Sequence, residues 1–139
     1  MSDGGGGYIR GAERLLEKTR RLANNSAAQP KNVREIVGEA RAGDVLRGRG
    51  FSELEYPDPI DGVQVDLLAT DSTGIRRIVE VKDGSRIPDD EQILRYKQIA
   101  QQTGRRFTVM TMERLSRGQL EKLKRVGVDV LDPSGELVN

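Results

Sequence analysis

The run Ile78-Val79-Glu80-Val81-Lys82 is where residue types and spacing point most directly to chemistry. Side chains alternate along a β-strand, so in an extended segment Glu80 and Lys82 share one face while Val79 and Val81 share the other. A strand apolar enough for a core would then carry a carboxylate and an amine side by side. Asp71-Ser72-Thr73-Gly74 lies just upstream, and a hairpin turning about it pairs residues whose numbers sum to roughly 146. That register sets Asp66 opposite Glu80. Two carboxylates facing each other in a partly buried strand pair repel unless a cation lies between them. Oxygen ligation of this kind suits Mg²⁺, which keeps waters and takes phosphate oxygens. Lys82, beside a metal-bound water, could orient it, help to deprotonate it and offset charge on a pentavalent phosphate. The chemistry expected is phosphodiester hydrolysis. Taken singly, the same residues read as an exposed cross-strand ion pair and a strand-edge carboxylate; the flanking apolar residues and the register set the combination apart.

Composition narrows the alternatives. The chain has neither cysteine nor histidine, which excludes disulfides, Cys/His zinc sites, thiol nucleophiles and imidazole bases. Its 139 residues suit one domain of ordinary size. With 35% hydrophobic and 32% charged residues, it can form a core but must display a strongly charged surface. Its apolar runs fall far short of the roughly twenty residues that span a bilayer, and the opening MSDGGGG has no apolar signal core, so no membrane association is expected. The net charge of +1 hides an uneven distribution. Residues 1–50 carry ten Lys/Arg and six Asp/Glu, residues 51–90 four and ten, and residues 91–139 nine and six. An acidic centre between basic flanks suits a cation site within a polyanion-binding surface, although ordinary solvated charge would give the same count.

The elements that must position these residues follow from periodicity and punctuation. Residues 1–30 read as a flexible leader: glycines first, then a short amphipathic helix in which Ile9, Ala12, Leu15, Leu16, Thr19 and Leu22 share one side, then the turn-rich 24–30 linker. The domain proper is expected over 31–139. Its first helix has Asn32 as N-cap, an apolar face through Val33, Ile36, Val37 and Ala40, and an end at Gly48 or Gly50. Strands are expected over 51–56, 63–70 and 75–82 as an antiparallel meander. Pro88-Asp89-Asp90 caps a helix that buries Ile93, Leu94, Tyr96, Ala100 and the stem of Lys97, and Gly104 ends it. A buried strand over 107–112, a helix capped by Ser116 and ending at Gly127, and a short strand over 128–131 complete the chain.

Asp66 followed by Glu80-Val81-Lys82, within this order of elements, resembles the PD-(D/E)XK nuclease superfamily over residues 32 to 112. The resemblance implies an α/β restriction-endonuclease-like αβββαβ core, with a central mixed sheet flanked by helices. It implies an Mg²⁺-dependent endonuclease, Mn²⁺ being a substitute, in which Asp66 and Glu80 hold the metal and Lys82 completes the catalytic set. Gly38-Glu39, with Leu46 and Gly50-Phe51 beyond, is similar to the helix in which many members place a further metal-associated glutamate; the candidate is Glu39. Gln92 and Tyr96 match the QxxxY element of the RecB-like branch, whose side chains support the site and touch substrate. On physical grounds alone, Tyr96 reads equally as a core aromatic and Gln92 as a surface amide. Asp58, in the literal Pro57-Asp58, and Asp61 compete with Asp66, but prolines place Asp58 in a turn beyond the reach of the third strand.

The nucleic acid could be DNA or tRNA. With two phenylalanines, three tyrosines and no tryptophan, an extended base-stacking platform is not expected. The chain is too short to carry a separate target-recognition domain, which weighs against a conventional restriction enzyme acting as a monomer. A compact core behind a leader, together with residues 92–111, also resembles the toxin domains of bacterial polymorphic and contact-dependent inhibition systems. That resemblance would imply a cognate immunity protein and action in the cytoplasm of a target cell. The alternatives are a Holliday-junction nuclease, which requires a homodimer, and a catalytically silent nucleic-acid-binding module of the same fold.

Overall fold

Helix caps and tight turns divide the residues described by the computed structural model, 30–84 and 86–139, into eight elements. These are α1 (Pro30–Gly48), β1 (Ser52–Glu55), β2 (Leu67–Thr70), β3 (Arg76–Lys82), α2 (Asp90–Gln102), β4 (Arg106–Thr111), α3 (Arg117–Arg125) and β5 (Asp129–Leu131). The strands form one mixed sheet in the order β1-β2-β3-β4-β5. β1, β2 and β3 are an antiparallel meander, and β4 and β5 join in parallel, each after a helix. The chain is thus α/β, with a five-stranded sheet and three helices among the described residues. None of those helices is long and apolar enough to cross a membrane. The amphipathic helix expected within 9–22 and the linker up to residue 29 lie outside the described residues.

Alternation along β3 sorts the core into two layers. Val79, with Val81 beside it, packs with Ala42 and Leu46 of α1 and with Met110 and Leu131. Ile78 packs on the other face with Ile93, Tyr96 and Ile99 of α2, Leu123 of α3, Phe107 and Val109. Helices therefore cover both faces of the sheet. Close approach explains Gly43: a Cβ there would collide with the hydroxyl of Tyr56, which donates to the Glu39 carbonyl at 3.2 Å and ties β1 to α1.

Local signals account for the boundaries, with three corrections. Capping boxes start both later helices, Asp89 with Gln92 at α2 and Ser116 with Gln119 at α3. Asn32 lies inside α1 rather than capping it; the helix begins at Pro30, a residue suited to the first turn because it lacks an N–H that would go unused. The strand expected over 63–70 is regular only from Leu67, because Val63 turns back on Ile60 in a small hairpin with Asp61 and Gly62 at positive φ. Leu94 and Lys97, expected in the buried stripe of α2, are exposed, and Ile99 takes their place in the core.

Arg77 is a charged residue buried at the start of β3, only 4% exposed. Its guanidinium bonds Asp71 Oδ2 at 3.0 Å, Asp129 Oδ2 at 2.6 Å and Thr108 Oγ1 at 3.0 Å, and Arg106 adds a bond to Asp129 Oδ2 at 2.8 Å. Burial works against ionisation of Asp129, but Arg106 and Arg77 outweigh it and hold the carboxyl below its ordinary range. Removing Asp129 leaves the buried Arg77 charge balanced by Asp71 alone. Asp129→Ala should cost about 3 kcal/mol in urea unfolding, whereas Arg106→Ala, which removes an exposed cation, should cost under about 1 kcal/mol; equal losses would contradict this account.

Candidate active site

The β2–β3 ladder pairs Leu67 with Val79 and Leu68 with Ile78, which is the register expected from the turn. Extended by one residue, it sets Asp66 opposite Glu80. β2 ends there, and the Val81 N–H on β3 donates to Oδ2 of Asp66 at 3.0 Å. Asp66 thus both terminates the strand pair and holds a carboxylate beside Glu80. Both lie at the C-terminal end of the parallel strands, where sheets of this kind present their ligand sites.

Glu80 shares the α2 face with Ile78 and is 7% exposed. Its Oε1 lies 3.8 Å from Lys82 Nζ, and its Oε2 is buried with no hydrogen-bond partner among the described residues. Burial and the adjacent Asp66 carboxylate push the Glu80 carboxyl up to about 9, against the opposing pull of Lys82. Without a cation, therefore, the Glu80 side favours a proton at neutral pH. Lys82 is more open, its side chain 21% exposed against 10% for Glu80, and so stands on the solvent side of the pair.

Tyr96 completes the wall. Its ring stacks on Phe107 at a centroid distance of 5.1 Å, and its hydroxyl donates to the Gln64 carbonyl at 3.0 Å, two residues before Asp66. Burial, then the Glu80 and Asp66 charges, raise the phenol, so it remains a donor. The structure thus brings Asp66, Glu80, Lys82 and Tyr96 together. Gln64 escaped sequence reasoning because it contributes a backbone carbonyl, which carries no residue-type signal.

Gln92 has another role, and Glu39 comes from the helix behind β3. Gln92 is the reciprocal partner of the α2 capping box, its Oε1 accepting from Asp89 N at 3.2 Å. Glu39 is buried in α1, which packs on the Val79 and Val81 side of β3; a Cβ on neighbouring Gly38 would sit 4.0 Å from Val81. α1 therefore covers the face opposite Glu80. Asp58 is exposed in the β1–β2 connection, and Asp61 shapes the Ile60–Val63 turn.

Among the described residues, no group of three or more Asp, Glu, His or Cys side chains is gathered for a metal ion. The donor set is instead two carboxylates, one with a buried oxygen that no hydrogen bond satisfies. That suits Mg²⁺, which commonly takes one or two carboxylates and fills its remaining positions with water and phosphate.

The raised Glu80 carboxyl has a signed consequence. Stability tied to its protonated form is fully present below its ordinary value of 4.5 and is lost as pH rises through about 9. Asp71, Asp129 and Asp132 are all held below their ordinary value of 3.8, so they stay ionised across this window. In EDTA, the melting temperature should fall between about pH 6 and about pH 9, and Glu80→Gln should flatten that slope. Mg²⁺ at alkaline pH should raise the melting temperature of the wild type but not of Glu80→Gln. An unchanged slope in the variant would contradict the assignment.

In comparisons with known proteins, no family model matches this chain, and neither the curated proteins nor the solved structures yield a significant match.

Proposed function

We propose that this chain is a Mg²⁺-dependent nuclease of the PD-(D/E)XK type, hydrolysing phosphodiester bonds on a restriction-endonuclease-like core. The observation that carries the reading is the facing of Asp66 and Glu80 across the end of the β2–β3 ladder, close enough that the Asp66 charge helps burial to raise Glu80, with Lys82 3.8 Å away. The element order supports the same reading.

Asp66 and Glu80 would hold Mg²⁺, with Mn²⁺ as a substitute. When bound, the ion supplies Lewis acidity and a more acidic water. Asp66 is kept in place by the Val81 N–H, and Tyr96 fixes the backbone before it through the Gln64 carbonyl. The Glu80 carboxyl, raised by burial and by Asp66, would ionise to hold the cation. Lys82, on the open side, is placed to donate to a phosphate oxygen or to orient the attacking water. The apolar α1 face of β3 takes no part in these contacts.

The test is cleavage of plasmid DNA, total tRNA and a four-way DNA junction in Mg²⁺ and in EDTA. Wild type should degrade at least one of them only in Mg²⁺. Lys82→Ala should slow cleavage by at least about 100-fold, and Glu80→Gln should do the same while also losing the Mg²⁺-induced rise in melting temperature. Absence of Mg²⁺-dependent loss of any of the three polymers would overturn the enzyme reading and favour a silent binding module. Preference for the junction, with dimerisation, would instead identify a junction-selective nuclease.

A further inference from the structure

The outer surface of α2 and α3 carries a feature that the nuclease reading does not use. A groove of about 440 Å³ runs between the two helices. Ile93, Leu94 and Val126 give it an apolar floor, and Lys97, Lys122 and Arg125 stand around it with Asp90 at one end. Leu94 is 60% exposed and Val126 37%, although the helical spacing of α2 would have placed Leu94 in the core. Leu94 and Val126 are thus left open to water over the buried Ile93, an apolar contact framed by cations.

The chemistry of the rim narrows what that is. Three cations stand against the single Asp90 carboxylate. Lys122 reaches Asp90 only at 3.7 Å, with side chains 52% and 88% exposed, a pair that solvent screens and a stronger anion could replace. Lys97 donates to the Val126 carbonyl at 2.6 Å, which fixes its ammonium at the C-terminal end of α3, beside the floor. A nucleic acid would find cations here but no aromatic surface for its bases, and its phosphates would meet aliphatic side chains. A second copy of the chain in two-fold contact would set like charges against each other. Residues 9–22 of this chain carry five Lys/Arg against two Asp/Glu, the same sign as the rim.

We propose that this groove docks an acidic amphipathic helix of a partner protein. Its apolar stripe, at i, i+3 or i+4 and i+7, would cover Leu94 and Val126, and its Asp/Glu flanks would pair with Lys122 and Arg125. Leu94 lies on the exposed side of α2 and Tyr96 on the buried side, so the partner engages the helix that walls the catalytic pair without entering that pair. The proposal goes beyond the nuclease reading and does not rest on it.

The experiment is selection of short helical peptides from a displayed random library on the full chain, with counter-selection on Leu94→Asp. Leu94 is exposed, so Leu94→Asp should keep the wild-type melting temperature. Enriched sequences should combine apolar residues at helical spacing with flanking Asp/Glu. By fluorescence anisotropy, the consensus peptide should bind at least about tenfold more weakly to Leu94→Asp and to the charge reversal Lys122→Glu/Arg125→Glu. A peptide with its acids changed to lysine should regain binding to the charge reversal. Enrichment of basic or patternless sequences, or binding indifferent to Leu94, would overturn the proposal. So would Leu94-dependent binding of an oligothymidine or of a residue 9–22 peptide, or Leu94-dependent dimerisation in sedimentation, if acidic peptides show none.

Discussion

Two like charges held side by side by a backbone ladder are what the rest of this structure is arranged around. Asp66 and Glu80 do not meet through a chance approach of loops; β2 and β3 bring them together because Leu67 pairs with Val79 and Leu68 with Ile78. The repulsion is borne by strands that have little freedom to move apart, since β3 is also bonded to β4 on its other side. Buried in a central strand, Glu80 cannot relieve the repulsion by swinging into water, as it would on a surface helix. Glu80 takes up a proton instead, its carboxyl pushed up to about 9 by burial and by Asp66.

The two faces of β3 divide the labour. On one, Val79 and Val81 meet α1 in an apolar layer that anchors the sheet. On the other, Ile78 is apolar but Glu80 and Lys82 are not, and α2 covers this face with a tyrosine whose hydroxyl can tolerate polar neighbours. Amphipathic α2 therefore does two things with two of its sides: it closes over Glu80 with Tyr96 and leaves Leu94 facing out.

The sheet was legible in the sequence because its determinants are local. Alternation in residues 78–82 and the turn at 71–74 together contained the register, and with it the facing of Asp66 and Glu80. Capping at Asp89 and Ser116 was legible for the same reason. Properties that depend on how one element lies over another were not. Helical spacing groups Leu94 with Ile93, but the tilt of α2 on the sheet decides which flank is covered, and Ile99 was covered instead. The face of the sheet on which α1 packs is likewise set by tertiary fit. Arg77 resembles its neighbour Arg76 in sequence; only the arrival of Asp129 and Thr108 from later strands makes it a buried hub.

The turn that closes the β2–β3 hairpin acts as a ruler. The Asp71 carboxylate accepts from Thr73 N, Thr73 Oγ1 and Ile75 N while also holding Arg77, so the number of residues in the turn is locked by four bonds to one side chain. Strand pairing has a period of two, and a single inserted or deleted residue there would carry Asp66 to the wrong face. The connections at 56–66 and 83–89 have no such arithmetic to keep. Tolerance to length change should therefore be least at the opposite end of the strands from the carboxylates whose spacing this turn sets.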